Sequence, residues 1–216
     1  MSLKIVAIVV SSRFPNRATI KFSDNSFLPL GLVAIHQLHL NKNQQISPQK
    51  HQKIIHASLD FLLKNYALRQ IAISAKTKKI LQQKLQNYLR QTLTKYHLSS
   101  QPDHEAVIQE TLSYIQDKGL LQPQEFVDRV LRKHSNKSHF YIQQLLRQKG
   151  VDPLLVPSSS PHQEILKIKR ILIKKHIKAK DLTDYATKMK ISASLANKGF
   201  SYSDIKAAVD DLTNLS

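Results

Sequence analysis

The chain of 216 residues is 41% hydrophobic, which is enough for one large or two to three small buried cores. It contains no cysteine, which excludes disulfides, thiolate metal sites and a cysteine nucleophile, and this fits a reducing, cytoplasmic setting. No apolar run in the sequence approaches the roughly 18 residues of a membrane helix. The run Ile5–Val10 lacks a small-residue cleavage pattern, so we expect neither a signal peptide nor membrane attachment.

Positive charge is the strongest signal in the composition. Lys and Arg number 33 against 15 Asp and Glu, which gives a net charge of +18. Because such an excess repels itself, it is most easily tolerated when a polyanion is a regular partner. Residues 61–102 and 129–151 hold basic residues and no acidic ones, whereas residues 103–128 hold six carboxylates and one lysine. This alternation predicts basic faces separated by an acidic element, and the alternative is ordinary solvated helix surface.

The first 46 residues have the pattern of a small β-sheet. Apolar and β-branched residues alternate in Ile5–Val10 and again in Ala18–Phe22, which predicts two strands. Ser23–Ser26 between them and the next apolar segment is a cluster of turn-forming residues. We therefore expect an antiparallel β segment over residues 1–46, followed only by helices.

Helix start signals are clear at two places. Ser47 followed by Pro48 predicts an N-cap with proline at the first helical position. Ser160 and Gln163 form the pattern of a capping box, directly after the linker-like segment 156–161.

Two helices end in the same way, with Lys149-Gly150 and Lys198-Gly199. Glycine takes the left-handed position after a helix, and the lysine faces the negative end of the helix dipole. The apolar residue that follows each glycine is expected to pack back on the helix.

Three helix starts share one register, in which apolar residues follow a hydroxyl N-cap by four and eight positions. Spacing of four places each apolar pair on one face, and near-equal intervals of 61 and 63 residues predict tandem helical units. The sets are Thr77/Leu81/Leu85, Ser138/Ile142/Leu146 and Ser201/Ile205/Val209. We expect a β-rich segment and three helical repeats, over residues 1–46, 47–100, 101–155 and 156–216.

Several segments resemble, in the right order, the motifs of the RecX family. DKGLLQPQEF (117–126) resembles its Gly-aromatic-Leu-Asp-Asp-x-x-Phe-Ala motif, and IQQLLRQKGV (142–151) resembles its Ile-x-x-x-Leu-x-x-Lys-Gly-Ile helix. LANKGFSYSDI (195–205) is similar to the C-terminal Leu-x-x-Arg-Gly-Phe-Ser-x-x-x-Ile, and ISAKTKKIL (73–81) is similar to the first-repeat Arg-x-Arg-Ser-x-x-Glu-Leu. The chain departs from the family at its paired aspartates, which are Gln122 and Pro123 here.

The resemblance implies a mainly α fold of tandem three-helix repeats that form an elongated, curved, basic body. It also implies a non-catalytic, monomeric regulator without cofactor, which binds the RecA recombinase filament and single- and double-stranded DNA. Its expected action is to modulate, in most cases to inhibit, filament extension in DNA repair, recombination and the SOS response. The alternative is a basic helical nucleic-acid-binding module that acts without a recombinase partner.

Basic clusters near these motifs supply the candidate contacts to filament and DNA. Each phosphate that a cation neutralises releases counterions, so we expect an affinity that falls steeply with salt. Lys149 and Lys198 have a second interpretation, because either lysine can complement a helix C-terminus. The candidates are Arg69, Lys76, Lys78, Lys79 and Lys84 in the first repeat, Arg132, Lys133, Arg147 and Lys149 in the second, and Lys188, Lys190 and Lys198 in the third.

Aromatic residues allow two roles. Phe126 and Phe200 lie beside apolar residues at helical spacing and are expected in the core. Tyr141 and Tyr202 lie near basic residues or helix starts, where stacking on a base is one role and a partly buried structural role is the expected one.

Motifs for an enzyme or a metal site are lacking in the sequence. There is no phosphate-cradling glycine loop and no nucleophile elbow. His51/His56 and His134/His139 are spaced by five, which does not place two rings on one helical face as four does. We therefore expect neither catalysis nor metal binding.

Overall fold

The computed structural model describes residues 3–99 and 102–214, and the side chains of all of these except residues 102, 103 and 214. It divides into two compact units, Met1–Gln122 and Pro123–Ser216. The protein is mainly helical (63%), and the described part holds ten α-helices and one four-stranded antiparallel sheet. The predicted fold class is thereby confirmed, while the elongated, curved body stays a prediction.

The sheet opens the first unit with strand order β3-β2-β1-β4. Ile20 pairs with Ile8 on β1 and with Leu28 on β3, so one apolar face is continuous across three strands. Asn25 takes a φ of 66° in the predicted turn, as short polar residues can. The strands are β1 Leu3–Val10, β2 Arg17–Phe22, β3 Phe27–Gly31 and β4 Gln45–Ile46.

Strand β4 lies within the expected β segment of residues 1–46, although the sequence pattern does not mark it as a strand. It pairs two residues with β1, namely Ile46 with Leu3 and Gln45 with Lys4. Two residues are too few to show the alternation that marks a strand in a sequence.

A sheet-and-helix core holds the first unit together. Ile5 and Leu30 of the sheet lie in one buried cluster with Leu59, Leu81 and Ile108 of three helices. The helices of this unit are α1 Leu32–Gln37, α2 Pro48–Ile73, α3 Lys78–Lys95 and α4 Pro102–Asp117.

Over residues 123–214, the second unit holds six α-helices and a 3₁₀ turn at Pro153–Leu155. Ile168, Leu172, Leu195 and Val209 belong to a smaller buried cluster. The helices are α5 Pro123–Lys133, α6 His139–Gln148, α7 Pro161–Lys174, α8 Ala179–Thr183, α9 Tyr185–Ala196 and α10 Tyr202–Asn214.

The predicted helix caps are confirmed. Ser47 accepts from the Lys50 N–H, and Ser160 and Gln163 bond each other's backbone as a capping box. In the shared register Thr77, Ser138 and Ser201 each accept a backbone N–H at the start of a helix, and all six apolar partners are buried.

The two Lys-Gly helix ends also form as expected. Gly150 and Gly199 have φ of 74° and 89°, in the left-handed region. Val151 and Phe200 after them are buried, and Phe126 is buried as predicted.

The division into four sequence segments stays a prediction. Its boundary at residues 100 and 101 lies outside the described residues. The linker-like segment 156–161 lies within the second compact unit.

Candidate nucleic-acid interface

A basic groove of about 700 Å³ runs along α7 in the second unit. Lys167, Arg170 and Lys174 line it, at positions i, i+3 and i+7 of the helix. That spacing places their side chains on one helical face, one above the other. Arg170 and Lys174 are exposed, so the groove presents cations to solvent along its length.

The remaining wall of this α7 groove is rich in hydrogen-bonding side chains. Among the described residues that line it, none is Asp or Glu. Hydroxyl and amide groups, together with backbone N–H groups, are the usual uncharged donors to phosphate oxygens. In this groove the hydroxyl and amide groups belong to Ser135, Asn136, Ser158, Ser159 and Gln163.

Glu164 on α7 fixes the other wall of the groove. Its buried carboxylate accepts the His139 backbone N–H at 2.9 Å, at the start of α6, and the Ser159 hydroxyl at 3.1 Å. The Lys167 ammonium donates to Glu164 at 3.0 Å and to the Lys137 carbonyl at 3.3 Å. Because these bonds occupy Glu164, its negative charge stabilises the start of α6 and does not face a ligand.

Gly199 allows the end of α9 to approach the start of α6 closely. The Ser138 N–H donates to the Lys198 carbonyl at 3.0 Å, so the start of α6 meets the end of α9. A Cβ on Gly199 would lie 2.6 Å from Ser138 Oγ and 2.9 Å from Tyr141 Cβ. Only glycine permits this approach.

His139 lies in the wall of the groove with a shifted pKa. Burial disfavours the charged imidazolium and lowers the pKa below its usual value, Glu164 opposes this shift, and Lys167 adds to it. Its Nε2 atom is buried and has no hydrogen-bond partner among the described residues. The lowered pKa therefore favours the neutral form of the ring.

The predicted contact residues of the second unit lie mainly near helix ends. Arg132 and Lys133 close α5, and Arg147 and Lys149 close α6, all exposed. They therefore face the negative ends of two helix dipoles as well as solvent.

Three further predicted residues lie on or just after α9. Lys188 pairs with Asp210 at 4.0 Å, Lys190 is exposed, and Lys198 follows the helix. Lys188 lines a groove with Tyr202, which is 78% exposed. The expectation of a partly buried Tyr202 is wrong, because the residue begins α10 and lines this groove instead of entering the core.

Lys76 in the first unit has a structural role. It is buried, and its ammonium donates to the carbonyls of Gln70 at 3.0 Å and Ser74 at 2.8 Å. These carbonyls belong to the last turn and the C-cap of α2, so the charge satisfies a helix C-terminus.

The other predicted residues of the first unit lie at the surface. Lys79 and Arg69 are exposed, Lys84 is half-buried, and Lys78 donates to Gln116 on α4 at 3.2 Å. The structure describes these residues on α2 and α3, and their contacts with DNA or protein stay a prediction.

Sequence reasoning missed Lys167, Arg170 and Lys174. Residues 161–180 hold seven Lys and Arg against the single Glu164, which is the densest basic segment of the chain. The local density of positive charge therefore indicates these three residues. The predicted contact residues came instead from basic clusters near the family motifs.

The described residues show neither a metal site nor a membrane-spanning helix. No three His, Asp or Glu side chains converge there as ligands for a metal ion. No helix in that part of the chain has the length and apolarity to cross a bilayer.

Taken together, the capped helices and the basic groove describe a mainly helical protein with a cationic surface groove in its second unit. A family model for "RecX, third three-helix domain" matches residues 163–209, which include most of α7, all of α8 and α9, and the groove lysines. The chain is similar to the RecX family over this segment, and its motifs resemble those of the family in the same order along the sequence.

Two curated proteins named "Regulatory protein RecX" are similar to the chain. The one from Streptococcus mutans serotype c (strain ATCC 700610 / UA159) is 26% identical over 180 residues, and the one from Streptococcus pneumoniae (strain 70585) is 24% identical over 178. Each match covers 80% of this chain and 64% of the relative's length.

Two solved structures share the fold. A "Crystal structure of regulatory protein RecX" aligns with a TM-score of 0.61 at 17% identity, over 97% of this chain and 99% of the other. RecX from Lactobacillus salivarius aligns with a TM-score of 0.54 at 20% identity, over 74% of this chain and 99% of the other. At such identities the likeness concerns the fold alone.

Proposed function

We propose that this protein is a non-catalytic, monomeric cytoplasmic regulator that binds the RecA filament and its DNA and limits filament extension. The observation that carries the proposal is the α7 groove, which combines aligned cations with hydroxyl and amide donors. The similarity to two proteins named regulatory protein RecX, together with the family's motifs, supports the RecA recombinase as the partner.

The physical basis of the proposal is attraction to a negatively charged polymer. DNA phosphates are bound mainly by Lys and Arg, with polar side chains fixing the register of the contact. Arg170 and Lys174 are exposed cations, and Ser135 and Asn136 face the same groove. A regulator that holds phosphates in this way resists the addition or rearrangement of recombinase subunits along the strand.

Titration of RecA-dependent ATP hydrolysis on single-stranded DNA tests this proposal. A filament regulator lowers the rate at protein-to-RecA ratios well below one, because each bound copy affects many subunits. Inhibition only near saturation of the DNA would contradict it, because a pure nucleic-acid-binding module has to coat the strand to compete.

Order of addition sharpens the same experiment. Protein added to preformed filaments and protein added before RecA should both inhibit. If inhibition requires that the protein meet the DNA first, simple competition for the strand explains the data.

A further inference from the structure

A second groove in the first unit combines arginine, aromatic and amide side chains. It has a volume of about 300 Å³ and lies where the β1–β2 loop meets α2 and α3. Among the described residues that line it, none is Asp or Glu. Its lining includes Phe14, Arg17, Asn65, Arg69 and Tyr88.

The loop that carries Phe14 is fixed by hydrogen bonds. The Phe14 N–H donates to Ser11 Oγ at 3.2 Å, and the Phe14 carbonyl accepts the Arg17 N–H at 2.9 Å. The Leu32 N–H donates to the Asn16 carbonyl at 3.1 Å, which ties the loop to the start of α1. The aromatic ring is therefore presented by an ordered backbone, even though half of it is exposed.

Three arginines lie at the exposed ring or in the groove that it lines. Arg13 places its guanidinium carbon 5.5 Å from the Phe14 ring centroid, and Arg17 and Arg69 line the groove. Arginine both pairs with phosphate and stacks on planar rings. Tyr88, which also lines the groove, stacks in parallel on Tyr66, with the ring centroids 4.1 Å apart.

We propose that this groove binds one unpaired nucleotide of single-stranded nucleic acid, with the base on Phe14 and phosphates on Arg17 and Arg69. Aromatic platforms beside a basic track are the general means of holding single strands without sequence preference. The groove volume lies at the lower end for small-molecule sites and is too small for an α-helix about 10 Å wide. An acidic partner helix is therefore the less favoured occupant.

The inference rests on the proposed function for its DNA partner and gives the N-terminal sheet a role in it. Bases in a duplex are stacked and paired, so they cannot stack on Phe14. The groove should therefore add affinity for single strands and leave duplex binding to the other basic surfaces.

The test uses the full chain with a fluorescein-labelled oligo(dT) strand and a duplex of the same length. Phe14→Ser is expected to weaken oligo(dT) binding about tenfold and to change duplex binding by no more than about twofold. Phe140→Ser removes another exposed phenylalanine, in the second unit, and should change neither. Far-UV circular dichroism checks that each variant keeps its fold.

A second variant separates stacking from charge. Arg17→Gln with Arg69→Gln should lower the slope of log affinity against log salt for oligo(dT) by about 1.4, because about 0.7 is lost per phosphate contact on single strands. An unchanged slope would overturn the assignment of phosphates to these arginines.

Three outcomes overturn the base-stacking assignment. Equal losses for oligo(dT) and duplex in Phe14→Ser would show that Phe14 only supports the loop. Unchanged DNA binding with weakened binding of poly-glutamate would show that the groove holds an acidic polypeptide. If the wild-type protein binds no DNA at all, the proposed function loses its DNA partner as well, which distinguishes the two failures.

Discussion

The two compact units hold their charges and their cores in different ways. The first unit packs a sheet against three helices around one large apolar cluster, and its buried Lys76 caps a helix. In the second unit, hydrogen bonds around Glu164 and the close approach of Gly199 join α6 to α7 and α9. The α7 groove therefore depends on a few polar contacts, and a single substitution can remove one of these contacts without disturbing the first unit.

Gly199→Ala should produce the largest loss of stability. A side chain at a φ of 89° is strained, and its Cβ would meet Ser138 Oγ and Tyr141. We expect the free energy of unfolding to fall by about 3 kcal/mol, measured by urea denaturation.

Gly119→Ala is the matched control for this substitution. Gly119 also has a left-handed φ, of 64°, but a Cβ there would have nothing within 4 Å. The expected loss is about 1 kcal/mol. Equal losses at the two positions would show that the contact between α9 and α6 adds nothing beyond backbone strain.

Glu164→Gln should have the next largest effect. The amide keeps one acceptor oxygen but places a donor beside the His139 N–H, the Ser159 hydroxyl and the Lys167 ammonium. Because buried donors lose their charged acceptor, we expect a loss of about 2 kcal/mol in urea denaturation. Asp117→Asn, at an exposed site in the first unit, should change stability by less than about 0.5 kcal/mol; a similar loss in both variants would refute the role of Glu164.

Arg170→Gln with Lys174→Gln should change DNA binding and leave stability nearly unchanged. Both residues are exposed in the α7 groove. Loss of two phosphate contacts lowers the salt slope of log affinity for duplex DNA by about 1.8. Lys42→Gln with Lys53→Gln removes the same charge from exposed positions of the first unit and should keep the wild-type salt slope. Equal salt slopes for the wild type and both double variants would show that the α7 groove does not contact DNA phosphates.

The smallest expected effect is a pH dependence from His139. Its folded pKa lies below the unfolded value because burial disfavours the charged ring. At pH values between the folded and the unfolded pKa, the unfolded chain therefore binds more protons than the folded chain. The free energy of unfolding falls as the pH drops below about 6.5, and it levels off below the folded pKa. Urea denaturation between pH 7.5 and 5 should show a smaller decline for His139→Gln than for wild type, and identical declines would contradict this account.

The sequence predicted those features that arise within a few residues. The capping box at Ser160 and Gln163 and the left-handed Gly150 and Gly199 follow from local backbone geometry, so they could be identified without coordinates. Strand β4 could not, because it is two residues long and exists only through its pairing with β1.

The candidate site was predicted less well than the fold. Glu164 bonds His139, 25 residues away, and Gly199 contacts Ser138, 61 residues away, so neither contact has a local signature. Lys76 matches a family motif, yet it is buried at a helix end, because the sequence does not show which lysines turn inward. Only the charge density of residues 161–180 pointed directly at the α7 groove.

The most direct test of the central claim compares wild type with Arg170→Gln/Lys174→Gln as inhibitors of RecA-dependent ATP hydrolysis on single-stranded DNA. We predict that wild type inhibits at substoichiometric ratios and that the variant needs about tenfold more protein for the same effect. Lys42→Gln/Lys53→Gln should behave as wild type. Equal inhibition by the groove variant and wild type would contradict the assignment of the α7 groove as the contact surface.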